Sequence, residues 1–269
     1  MIRRPVVAGQ FYPGNPERLE EEIKNYLITD AVQEEVIGLI APHAGYIYSG
    51  STAGAVYSRI KPAQTFIILC PNHTGYGKPF AIMTKGIWET ALGSVPIDFQ
   101  LADQLLSSSK HLQEDHLAHL YEHSIEVQLP FLQVLFKENA FQIVPICVSH
   151  SRDEDYKQLG LEIGKTLKNL SKKVVIIASS DMTHYESHQD AQRKDKIAID
   201  SILKLDEEML LENVYIFHIT MCGYIPAVIM LVAAKELGAK EAELVKYTTS
   251  GETTGDYQQV VGYAGIIVK

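Results

Sequence analysis

The sequence predicts an α/β fold, a mainly parallel sheet covered by helices on both faces, as one domain over residues 1–269. Three observations carry that expectation. Short apolar runs alternate with segments of helical spacing along almost the whole chain, the pattern that strand–helix–strand crossovers produce. The runs are apolar throughout rather than at every second residue, as in strands buried on both faces. Three of them also end by delivering a histidine: Val36–Ala41 into Pro42-His43, Thr65–Cys70 into Pro71-Asn72-His73, and Val174–Ser180 into Asp181 and His184.

Taken in order, Asn15–Ile28 has helical spacing with Pro16 in a first-turn position. Val36–Ala41 reads as a buried strand, and Ser49–Ile60 as a helix whose Gly50 and Gly54 allow close packing on the sheet. Thr65–Cys70 is the next buried strand; Phe80–Thr84 and the segment around Trp88–Val95 read as shorter, partly exposed strands. Asp98–Ser109 is helical, as is Glu122–Lys137, which Pro130 should kink or interrupt. Phe141–Val148 is a strand, Asp153–Leu170 an amphipathic helix, and Val174–Ser180 a strand. Helices are expected at Asp190–Leu205, Asp206–Phe217 and Cys222–Leu237, and closing strands at Leu244–Thr249 and Val260–Val268. Gly251–Gly255 (GETTG) reads as a turn between those strands rather than a phosphate loop, and no repeat or linker interrupts the series.

Composition narrows the function. A net charge of −9 with no long basic run argues against a nucleic-acid partner. No membrane role is expected, because the longest apolar run, Ile225–Ala234, carries Pro226 and is far short of the roughly 18 residues a spanning helix needs. The apolar stretch of the opening MIRRPVVAGQFYPG is too short for a secretory signal. Three cysteines without a CxxC pair suit a reducing compartment, so the expected location is the cytoplasm.

In open α/β sheets, ligands bind beyond the carboxyl ends of the strands. One histidine there is more often a turn residue, but several at one sheet edge point to a site. His43 and His73 are therefore candidate ligands. Asp181 is either a helix-turn cap or, with His184, part of an acid–base pair. Cys222, in Thr220-Met221-Cys222-Gly223, precedes a strongly apolar helix. A helix N-terminus lowers a thiol's pKa, and Gly223 permits close backbone approach; the plain alternative is a buried structural cysteine, the reading given to Cys70 and Cys147. Two imidazoles and a thiolate with an open position suit zinc, copper or iron. His119-Leu120-Tyr121-Glu122-His123 matches the H-x-x-E-H pattern of inverted zinc peptidases, although Glu122 and His123 could instead support a ligand imidazole at the main site. Tyr46, Tyr48 and Tyr185 flank the histidines, as packing residues or as hydrogen-bond donors at the site mouth.

Five blocks in order resemble the Memo family: Pro42-His43-Ala44-Gly45-Tyr46; Pro71-Asn72-His73; Glu122-His123-Ser124-Ile125-Glu126 with Gln128-Leu129-Pro130; Ser179-Ser180-Asp181 with His184; and Met221-Cys222-Gly223. The region from Arg4-Pro5 to Phe11-Tyr12-Pro13 is similar to that family's opening. The resemblance implies a fold like that of class III extradiol ring-cleaving dioxygenases, which hold non-haem iron by two histidines and a carboxylate. It implies metal ligation by His43, His73 and Cys222, with Asp181 and His184 as further pocket residues, Cys222 standing where the dioxygenases have a carboxylate. A redox protein using iron or copper follows, with His184 as acid–base, Asp181 orienting it, and Glu122 and His123 in support. The alternatives are a zinc-dependent hydrolase at the same ligands, or a non-enzymatic module that binds a peptide or small molecule. The resemblance further implies association with a radical-SAM protein system, and the fold class admits a homodimer.

Overall fold

In the computed structural model, which describes residues 1–137 and 140–269, the apolar runs become the centre of a mixed sheet. Gly38–Ala41, Val174–Ser179, Thr65–Pro71 and Gln142–Val148 lie side by side in that order, all parallel. Almost every residue in them is buried, because helices cover both faces. Antiparallel strands close the flanks. Val260–Val268 pairs with Gly38–Ala41 on one side, and Phe80–Ile82 pairs with Gln142–Val148 on the other. Ala242–Thr249 and the short His184–Glu186 add to Val260–Val268, and Gln113–Glu114 adds to Phe80–Ile82. The expected α/β class holds, with a parallel centre and antiparallel margins.

The helices fall close to their expected positions, and local chemistry sets their ends. Asn15 caps Pro16–Tyr26 by accepting from Arg18 N–H at 2.9 Å. Asp98 and Asp206 cap Phe99–Ser108 and Glu207–Ile216 in the same way. Tyr46–Tyr57, Asp153–Lys168, His188–Leu203 and Tyr224–Glu236 complete the long helices. The Tyr224–Glu236 helix is buried on nearly every side, packed on Asp153–Lys168 and on the sheet.

Three expectations need correction. Gly50 and Gly54 serve a helix contact, not the sheet: a Cβ at either position would lie 2.4–2.5 Å from Tyr26 on the Pro16–Tyr26 helix. No helix begins at Glu122. Leu117–Leu120 is a separate turn of helix, residues 121–125 form a loop, and Leu129–Leu135 starts afresh after a 3-10 turn at Glu126–Gln128. Pro130 therefore occupies a first-turn position, where its missing N–H costs nothing, rather than kinking a helix. Phe80–Ile82 is a fully buried strand rather than a partly exposed one, whereas the segment around Trp88 is, as expected, a partly exposed pair of strands, the hairpin Ile87–Thr90 with Gly93–Pro96, joined by Ile2–Arg3. The GETTG segment is, as expected, a turn between the closing strands, one short helical turn at Gly251–Thr254 closed by Gly255 at φ 74°.

Candidate metal centre

Three adjacent strand ends meet at one point. His43 follows Gly38–Ala41, Asp181 follows Val174–Ser179, and His73 follows Thr65–Pro71, so the central strand brings Asp181 between the two histidines. The His43 and His73 ring centroids are 5.2 Å apart. Cys222 reaches them from the turn before Tyr224–Glu236, with Sγ 3.2 Å from His43 Nε2. One ligand atom from each of His43, His73 and Cys222 lies within 4.8 Å of the other two. Gly223 allows this approach, because a Cβ there would sit 2.4 Å from the Ser179 carbonyl oxygen and the Ser180 Cβ.

Each imidazole is held from behind. Ser179 donates its hydroxyl to the Ser124 carbonyl at 2.7 Å and accepts from Gln128 Nε2 at 2.8 Å. Its remaining contact, with His43 Nδ1 at 2.9 Å, must then be accepted by the hydroxyl oxygen. The His43 proton therefore sits on Nδ1, and Nε2 is left as a lone-pair donor. Gln128 is itself fixed, donating to the Pro42 carbonyl at 3.0 Å and accepting from Tyr57 at 2.7 Å. His73 donates its backbone N–H and its Nδ1–H to the two oxygens of Glu122, at 2.7 and 3.0 Å, which frees its Nε2 too.

Electrostatics agree with these assignments. Burial, then the neighbouring His73 and His123, depress the His43 pKa well below the ordinary histidine value, so the ring stays neutral. Burial alone would raise Glu122, but hydrogen bonds and charge from His73, with Ser124, outweigh it and hold the carboxylate ionised. Glu122 in turn raises His73 above its usual value against the effect of burial. Cys222 corrects an expectation. Burial first, then the charge of Asp181, push its thiol well above the usual range, outweighing the hydrogen bond from Asp181 N–H at 3.3 Å. The helix terminus does not lower this pKa, because Cys222 lies two residues before the first helical residue.

His123, Asp181 and His184 join His43 and His73 in lining a cleft of about 720 Å3. Asp181 Oδ1 accepts from the backbone N–H of His43 at 2.7 Å and of Ala44 at 3.3 Å. It therefore braces the His43 turn and does not orient His184. Thr220 orients His184: its hydroxyl accepts the His184 N–H at 2.7 Å, and its carbonyl accepts Nδ1–H at 3.0 Å, leaving Nε2 open. His123 stacks on His73 with ring centroids 4.9 Å apart and lies 3.4 Å from Glu122. Tyr48 and Tyr185 line the cleft, whereas Tyr46 is buried and spends its hydroxyl on the Val127 carbonyl. His119 turns away, packed edge-on against Trp88 with neither ring nitrogen hydrogen-bonded. Among the described residues, the groups able to share an ion are His43/His73/Cys222 and His73/Glu122/His123, so the H-x-x-E-H pair of histidines is not assembled. Cys70 and Cys147 are buried in neighbouring strands, as expected.

Sequence reasoning gave no role to Ser124, Gln128, Ser179 or Thr220. Ser179 and Gln128 are buried polar residues beside apolar strands and helices, the one signal that could have raised them.

Comparison with known proteins agrees with the fold. The family profile described as "Memo-like protein" matches residues 3–267. A MEMO1 family protein of Methanococcoides burtonii is 46% identical over 269 residues, covering all of both chains. One from Methanocaldococcus jannaschii is 44% identical, covering 100% of this chain and 99% of its own, and one from Archaeoglobus fulgidus is 44% identical over the whole of both. Among solved structures, an uncharacterized protein of Escherichia coli K12 shares the fold, with a TM-score of 0.57 at 13% identity, over 87% of this chain and 100% of that one. The chain belongs to the Memo-like protein family.

Proposed function

We propose that the protein is a metal-binding redox protein that holds a divalent iron or copper ion through His43, His73 and Cys222. The observation that carries this reading is the donor set itself: two imidazoles, each hydrogen-bonded at Nδ1, and one sulfur converge within 4.8 Å. Ligands at ~2.0–2.3 Å from a common ion stand roughly 3.3–3.8 Å from one another, so small side-chain adjustments close the shell. Such bracing of the second ring nitrogen is what metal-ligating histidines show. When bound, the ion would supply Lewis acidity and one-electron chemistry to a substrate in the cleft.

The chain's own residues do the rest. Cys222 gives up its proton on ligating. Glu122 and Ser179 hold the ligand rings, and Asp181 fixes the backbone that carries His43. His184, held at Nδ1 by the Thr220 carbonyl, lines the same cleft with Nε2 uncommitted and serves as its acid–base group. Phe11 and Tyr263 add apolar ring surface to the cleft wall. A hydrolytic zinc centre at the same ligands is the second reading. It would rely on Asp181 as base, because both Glu122 oxygens are occupied by His73 and Ser124.

Metal analysis of protein purified without chelators tests the assignment. Near-stoichiometric iron or copper is expected, lost in His43→Ala and retained in His184→Ala. Equal loss in both variants would contradict the role given to His184. Zinc with oxygen-independent turnover would favour hydrolysis.

A further inference from the structure

The cleft that opens onto His43 and His73 has a pronounced chemical bias. Among the described residues that line it there is no lysine or arginine. Four aromatic rings do line it, those of Phe11, Tyr48, Tyr185 and Tyr263. Asp181 is 4% exposed and spends only Oδ1 on the protein; among the described residues nothing donates to Oδ2. Burial, then the neighbouring Asp181 carboxylate, push the Tyr263 phenol above its usual range. An acceptor oxygen and several electron-rich rings therefore face one cavity.

Tyr185 adds a second sign of purpose. Its backbone sits at φ 58°, a conformation that L side chains with a Cβ avoid, and its ring is 74% exposed at the cleft mouth rather than buried in a core. The strain is imposed by the flanking residues. His184 is tied to Thr220, and Thr183 is clamped by the buried Asp195, which accepts its N–H at 2.8 Å and the Tyr247 hydroxyl at 2.7 Å. The chain holds an exposed tyrosine in a costly conformation beside the site, where it meets whatever enters.

We propose that this cleft receives a small molecule bearing an ammonium group, and that it discriminates against carboxylates and phosphates. Asp181 Oδ2 meets the cation, and the faces of Tyr48 and Tyr185 stabilise it through their ring quadrupoles. The protein's net charge of −9 favours the approach of cations. The inference rests on the metal reading in one respect. A divalent ion would face the Cys222 thiolate and the carboxylates of Glu122 and Asp181, so the loaded cleft would carry no surplus positive charge to attract an anion.

Isothermal titration of the metal-loaded protein with three probes of similar shape tests this: (2-phenylethyl)trimethylammonium, 2-phenylethanol and 3-phenylpropionate. The quaternary probe cannot ligate a metal, so its binding reports the cleft walls. It is expected to bind about tenfold tighter than the alcohol, with the carboxylate weakest, because only the cation is attracted both by Asp181 and by the ring faces. Asp181→Asn should remove most of that preference. Tyr185→Ala, a change at an exposed side chain, should weaken the ammonium probe about threefold or more while leaving the alcohol within about twofold. No binding of the ammonium probe, carboxylate binding as tight as ammonium, or an unchanged preference in both variants would overturn the proposal. Metal content measured on the same samples separates the two readings. Metal-free protein that keeps the ammonium preference contradicts the metal assignment alone, and metal-loaded protein that prefers the carboxylate contradicts this inference alone.

Discussion

Two imidazoles 5.2 Å apart can share an ion only if neither spends its inward nitrogen on a proton. His43 and His73 meet that requirement by different means: a hydroxyl relay from Tyr57 through Gln128 and Ser179 behind one, and a buried carboxylate behind the other. The two supports should differ in strength. Glu122→Gln removes a full charge and exchanges an acceptor for a donor at one of its two oxygens, so metal affinity should fall about 10- to 100-fold. His123→Ala, which removes a stacked ring and no ligand support, should lower it less than about threefold. Competition titration against a chelator of known affinity measures both, and equal losses would contradict the assignment. The histidines themselves were legible in the sequence because each follows an apolar strand through a proline or an aspartate. Their supports were not, because a serine or glutamine gains meaning only from what lies across the sheet: Ser179 and Ser124 are 55 positions apart and hydrogen-bonded.

Elements were readable where periodicity dominates and unreadable where a single side chain overrides it. The buried strands and amphipathic helices came through within a few residues. The Glu122–Ser124 loop did not, because its helical spacing continues into Leu129–Leu135 while the Glu122 carboxylate draws the local N–H groups to itself. The three-residue strand His184–Glu186 is too short for any pattern to declare. At this scale the tightest joint is the one between Gly223 and the Ser179–Ser180 strand end. Gly223→Ala must push the start of Tyr224–Glu236 away from the sheet, carrying Cys222 with it. Destabilisation of about 1–3 kcal/mol is expected from overpacking, together with weakened metal binding. Urea unfolding and metal titration of the same variant check this; a change in stability with no change in metal affinity would detach Cys222 from the site.

Over the whole molecule, the N-terminal segment closes the construction. Arg3 lies over the Trp88 ring, pairs with buried Glu126 and donates to the carbonyls of His119 and Glu122, while Glu126 also accepts from Val6, Val7 and Tyr12. That lattice fixes both Phe11 and the Glu122–His123 loop against the cleft. His119 is sealed inside it, and burial, then the charge of Arg3, lower its pKa to about 4. As pH falls below about 6.5, the unfolded chain takes up this proton first, so stability present above that pH is lost between about 6.5 and 4. The loss attributable to this residue is up to about 3 kcal/mol. His119→Phe should flatten that part of the profile of urea midpoint against pH, and an unaltered slope would place the titration elsewhere. Among the described residues, no helix is long and apolar enough to cross a membrane.

X-ray absorption at the metal edge of the loaded protein tests the shared ligation most directly. The arrangement of His43, His73 and Cys222 predicts one sulfur scatterer at ~2.3 Å and two imidazole nitrogens at ~2.0 Å, with the sulfur shell gone in Cys222→Ser. A shell of nitrogen and oxygen alone in the unaltered protein would contradict it.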